Sequence, residues 1–104
     1  MTLPLNKQTA VITGAGSAEG IGFAIARRLY AAGVHVVITS TTDRIHSRAR
    51  ELDADGEKVL SFIADLTVET DVQRFVDAVL SRAGRIDILV NNAGMMQIGR
   101  SEAS

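Results

Sequence analysis

No cysteine occurs among the 104 residues. That removes both a disulfide framework and a thiolate metal site, and the two histidines, His35 and His46, stand too far apart to restore a metal reading. The absence is neutral between compartments. An excess of one charge is also missing: 11 basic residues face 12 acidic ones for a net charge of −1. No basic stretch is interleaved with aromatics, so neither nucleic acid nor an anionic membrane is an expected partner. No apolar run approaches the roughly 18 residues of a membrane span, and Met1 to Lys7 lacks a charged segment leading into a long apolar one. The expectation is a soluble, cytoplasmic protein. A chain this short leaves no room for a second domain, and residues 1–104 are read as part of one.

What is present is a regular alternation of two kinds of segment. Gln8 to Thr13 is an apolar run without alternation, which suits a strand buried on both faces. Gly14 ends it. From Gly20 to Ala32, Ile21, Ile25 and Leu29 recur every four positions while Arg27 and Arg28 point away, and Gly33 supplies a left-handed stop. Val34 to Thr39 reads as a second buried strand. Thr42 or Asp43 can cap a second helix with Ile45, Ala49 and Leu52 inward and Arg44, Arg48, Arg50 and Glu51 outward, ending at Asp55-Gly56. Val59 to Ala64 is a third strand. Thr67, with Glu69 and Asp71, reads as the cap and acidic first turn of a third helix carrying Val72, Val76, Val79 and Leu80 on one side. That helix stops near Gly84, and Ile86 to Asn91 is a fourth strand. The order βαβαβαβ with right-handed crossovers predicts an α/β fold: a Rossmann-type doubly wound parallel sheet, incomplete, with strand order 3-2-1-4. Ligands bind where such a sheet reverses direction, between strands one and four.

The glycine stretch from Gly14 to Gly22 falls at that reversal. Glycines let the backbone approach a pyrophosphate, the N–H groups of the following helix bind the anion, and Thr13 and Ser17 add hydroxyls. The strict G-x-G-x-x-G spacing fails because position 19 is glutamate, and no G-K-[ST] follows to make a P-loop. Taken alone, the stretch is weak evidence, and an ordinary strand-to-helix turn stays the alternative.

Three motifs together are more specific. Thr13-Gly14, five residues, then Gly20-Ile21-Gly22, with Asp65-Leu66 after the third strand and Asn91-Asn92-Ala93-Gly94 after the fourth, resemble the amino-terminal portion of the short-chain dehydrogenase/reductase family. The usual first motif has three residues between the glycine pairs; the loop here resembles a longer variant. The resemblance implies that Gly14, Gly20, Ile21 and Gly22 hold the pyrophosphate and the side of the nicotinamide. Asp65 would meet the adenine amino group, with Leu66 giving a backbone contact, while Asn92, Ala93 and Gly94 would line the adenine ribose and the nicotinamide side. Read by itself, Asp65 is also a helix-preceding aspartate, and Asn91-Asn92 a turn-forming pair. Met95 and Met96 would cap the nicotinamide pocket or pack a loop.

Cofactor choice rests on the end of the second strand. Ser40 stands where an NAD site places its acid, and Ser40, Thr41, Thr42 and Arg44 offer hydroxyls and a cation to a 2′-phosphate, which favours NADP over NAD. Glu19 and Asp43 pull the other way. The implied activity is hydride transfer between NADP(H) and a carbonyl or alcohol, with a lean toward a 3-ketoacyl reductase type and a homo-oligomer when complete. The family's proton-transferring Tyr, with a Lys four residues later, is not found: Tyr30 lies inside a helix, no lysine follows Lys58, and Ser101 and Ser104 come too early to act. No catalytic residue is assigned, and the 104 residues alone are expected to be inactive and, with an open sheet edge, unstable. A non-catalytic dinucleotide-binding module and an inactive truncated product remain the alternatives.

Overall fold

The computed structural model describes residues 3–17 and 19–92. A single 3-10 turn at Leu5–Lys7 leads into β1 (Thr9–Thr13), α1 (Ile21–Ala31), β2 (His35–Ser40), α2 (Arg44–Leu52), β3 (Val59–Ile63), α3 (Glu69–Ala83) and β4 (Ile88–Val90). All pairings are parallel, and the sheet runs β3-β2-β1-β4. The chain is therefore a Rossmann-type α/β fold in which β1 and β4 flank the point of reversal.

The unbroken apolar runs become the central strands because both of their faces are covered. Ala10, Ile12, Val36 and Ile38 pack with Ala26 of α1 and with Ile45 and Ala49 of α2 on one face. Val11 and Val37 pack with Phe75 and Val79 of α3 on the other. Helix α1 ends as its glycine predicts: Gly33 has φ +96°, its N–H donates to Tyr30 O, and Val34 N–H reaches back to Leu29 O.

Several local expectations need correction. Phe75, absent from the expected inner face of α3, is buried against Phe62 in an edge-to-face contact at 5.6 Å, whereas Leu80 is 45% exposed. Arg48 does not point to solvent; it is half-buried with its guanidinium 5.9 Å from the Phe23 ring, since a long side chain can lay its stem on apolar surface. His46 is half-buried rather than exposed, its Nδ1 2.7 Å from Ser61 Oγ. Neither Thr42 nor Asp43 caps α2 through its side chain, and α3 starts at Glu69 behind Val68, without a cap from Thr67.

Strand β4 has, among the described residues, a neighbour on one side only, and its Leu89 is 65% exposed. Among the described residues no helix is long and apolar enough to cross a membrane.

Candidate functional site

The carboxyl ends of the strands enclose a cleft of about 390 Å³. Its first wall is the turn after β1. Gly14, at φ +69°, redirects the chain in a conformation L side chains rarely adopt. Ala15 N–H then donates to Thr39 O at 3.2 Å, so the loop first runs beside β2. A second turn follows: Ser17 O accepts from Gly20 N–H at 3.1 Å, and Ser17 Oγ accepts from Glu19 N–H at 3.4 Å. The longer loop is absorbed in this way.

Helix α1 then begins with no side-chain cap and no acid in its first turn. The first donor to its own preceding turn is Ala24, to Gly20 O, which among the described residues leaves the N–H groups of Ile21, Gly22 and Phe23 as its orphan donors at the positive end of the helix dipole. Close packing brings them there. A Cβ on Gly22 would stand 2.9 Å from Gly14 O and 3.0 Å from Asn92 Nδ2, so only glycine lets the helix start so near the strand.

The second wall is the end of β2. Ser40 Oγ donates to Thr42 O at 3.1 Å and accepts from Thr42 N–H at 3.4 Å, while Arg44 Nε donates to Thr42 Oγ1 at 3.5 Å. Thr39 Oγ1 is buried without a hydrogen-bond partner among the described residues. A polar atom in that state costs free energy unless something completes it.

The third wall follows β3. Asp65 Oδ1 accepts from the Thr67 hydroxyl at 2.6 Å and from Thr67 N–H at 3.0 Å, and these bonds, the hydroxyl's first, hold the carboxyl below its ordinary pKa. Thr67 is thereby committed to Asp65, which explains why it does not cap α3. Asp71 accepts Asp65 N–H at 2.9 Å and pairs with Arg74.

Beyond β4, Asn92 Nδ2 donates to Gly14 O at 3.1 Å, and Thr13 Oγ1 lies 3.4 Å from Val90 O and 3.3 Å from Asn91 Oδ1. Both side chains tie the first and fourth strand ends together.

Of the residues expected at the site, Gly14, Ser17, Ser40, Thr41, Thr42, Arg44, Asp65 and Leu66 line the cleft. Gly20, Ile21 and Gly22 form the start of α1 beside it, and Thr13 and Asn92 brace it from behind. Ala93 and Gly94, with Met95, Met96, Ser101 and Ser104, lie outside the described residues. Sequence reasoning missed Gly16, Thr39, Ala64 and Thr67 as lining residues and gave Asn91 no site role; the second glycine of Gly14-Ala15-Gly16 was the one available signal. The lining has, among the described residues, one cation, Arg44, after β2, and one carboxylate, Asp65, after the neighbouring strand β3. Among the described residues no cluster of potential ligands could hold a metal ion. The arrangement suits an elongated ligand carrying phosphate: backbone donors and an uncapped helix for the phosphate, hydroxyls and a guanidinium after β2, and an ionised carboxylate after β3.

Comparison with known proteins agrees with this geometry. A family model described as short chain dehydrogenase matches residues 8–104. A 1-deoxy-11-beta-hydroxypentalenate dehydrogenase of Streptomyces avermitilis is 44% identical over 93 residues, covering 88% of this chain and 34% of the relative. A metagenomic short-chain oxidoreductase solved in complex with NADP superposes with a TM-score of 0.78 at 40% identity, over 89% of this chain and 42% of that one. An actinorhodin polyketide ketoreductase variant solved with NADPH gives a TM-score of 0.78 at 34% identity, over 90% and 35%. The chain spans about a third of the length of the curated relatives it matches.

Proposed function

This chain belongs to the short chain dehydrogenase family, and from that premise we propose that it binds the dinucleotide of an oxidoreductase moving hydride between NADP(H) and a carbonyl or alcohol. The observation that carries the cofactor choice is the lining of the cleft beside β2. Thr41, Thr42 and Arg44 line it beside Ser40, whose hydroxyl is taken up by the Thr42 backbone, while Asp43, the acid of that segment, is absent from the lining. A ribose 2′-hydroxyl calls for a carboxylate there and a 2′-phosphate calls for donors and positive charge. Arg44 gives a guanidinium that can meet a phosphate through two N–H groups at once.

The orphan N–H groups of Ile21 to Phe23 would hold the pyrophosphate, and Asp65 has Oδ2 free of Thr67 to accept from an adenine amino group. The orphan Thr39 hydroxyl and the glycine cradle at Gly22 fit such a ligand. The bound cofactor supplies the hydride chemistry; these residues supply binding and orientation. The likeness to a polyketide ketoreductase supports the ketoacyl direction for the substrate. No described residue stands as a proton donor to substrate, since Tyr30 lies within α1, so positions 1–104 alone are proposed to bind without turnover.

The test is a fluorescence titration of the protein as encoded, with any residues its reading frame adds after Ser104, against NADPH and NADH. Arg44→Leu is expected to weaken NADPH about tenfold relative to NADH. A preference for NADH in the unaltered protein would overturn the NADP assignment, and no saturable binding of either would overturn the dinucleotide reading.

A further inference from the structure

Resting on that nucleotide reading, we propose that Gly16 and Ser40 form a latch fixing the glycine loop to the end of β2, so that Ser40 is a positioning residue and not the residue that reads the ribose. Gly16 is buried, and its φ is not positive, so its backbone angle does not demand glycine. Space does. A Cβ at position 16 would stand 2.9 Å from Ser40 Oγ and 3.0 Å from Ser40 Cβ. Rotating the hydroxyl away relieves only the first contact, because a Cβ moves only with its backbone.

The neighbouring residue makes the same attachment by another means, since Ala15 N–H donates to Thr39 O. Two consecutive loop residues thus lie along two consecutive residues of β2, Ala15 at Thr39 and Gly16 at Ser40, slipped by two positions from the β1–β2 register that pairs Thr13 with Thr39. Only from Ser17 does the loop turn toward α1. The helix start, with its orphan donors, is consequently placed by where β2 ends.

Ser40 is correspondingly occupied. Its hydroxyl both donates to and accepts from Thr42, and its Cβ meets the loop. Neither bond points it at a ligand, whereas Arg44 spends only Nε on Thr42 Oγ1. In this division Ser40 sets where the pyrophosphate donors stand, and Arg44 senses what the ribose carries.

The two roles separate with two probes on the protein as encoded. Affinity for ADP-ribose reports the placement of the loop under a pyrophosphate, and the affinity ratio of 2′,5′-ADP to 5′-AMP reports the 2′-position. Gly16→Ala is expected to weaken ADP-ribose about tenfold, and adding Ser40→Gly to regain all but about threefold, while Ser40→Ala shifts the 2′,5′-ADP to 5′-AMP ratio by less than about twofold. Unchanged ADP-ribose binding in Gly16→Ala, no recovery in the double variant, or collapse of the ratio in Ser40→Ala would each overturn the latch while leaving the nucleotide reading intact. Failure of the unaltered protein to bind any of the three nucleotides overturns that reading, and the latch with it.

Discussion

The two ends of the sheet treat their polar groups in opposite ways. At the amino ends of the strands the chain satisfies itself: Asp53 accepts the N–H groups of Asp55, Glu57 and Lys58 in the turn before β3, and Asp87 accepts Thr9 N–H while paired with Arg85. At the carboxyl ends donors are left over, with α1 uncapped and Thr39 Oγ1 buried without a partner among the described residues. Stability is secured where partners are internal, and binding capacity resides where they are withheld.

That contrast can be tested from its larger effects downward. Nucleotide at 100 times its dissociation constant is expected to stabilise the protein by about 2.7 kcal/mol, raising Tm by on the order of 10 °C. A thermal melt unchanged by NADPH would remove the carboxyl-end half of the contrast. Gly22→Ala drives a Cβ against Gly14 O and should cost about 1–3 kcal/mol in denaturant unfolding along with weakened nucleotide binding. Parental values for both would mean that α1 can shift away freely.

The smallest effect concerns the amino ends. Asp53 and Asp87 have carboxyls held below their ordinary range, Asp53 chiefly by Lys58 N–H and Asp87 chiefly by the Arg85 side chain. Carboxyls with a lowered folded pKa contribute stability that is complete above the unfolded value of about 3.9 and is lost as pH falls through the folded value. Unfolding midpoints should therefore hold steady from neutral pH to about 5 and decline below about 4, more shallowly in Asp53→Asn. An identical acid limb in that variant would show that the turn's carboxylate contributes nothing.

The central strands and the end of α1 were legible because one physical cause dominates each; the inner face of α1 was not, since Ile21 of the expected stripe is 70% exposed while Phe23 is buried. Val11, Ile12, Val36 and Ile38 can sit nowhere but a sheet covered on both faces, and Gly33 can only end a helix. Helix α3 was less legible: Phe75 and Leu80 lie at the two borders of its apolar stripe, so spacing alone did not decide between them, and the sheet below chose the aromatic. Capping residues misled for a related reason. Thr67 has the chemistry of a cap, but Asp65 competes for its hydroxyl and N–H. At the site, motif residues could be named from their order, whereas Gly16 and Thr39 matter through a close approach and a missing partner that only folded geometry reveals.

The Thr9–Asp87 bond joins positions 78 residues apart, as does the Asn92–Gly14 bond at the other end of the same strand pair. The pairing of β1 with β2 closes a loop roughly a third as long. Because closure entropy grows only with the logarithm of loop length, the longer closure costs about 1 kcal/mol more than the shorter one. The two sides of the binding cleft are thus remote along the chain yet inexpensive to assemble, and insertions in the intervening surface turns would add little to that entropic cost.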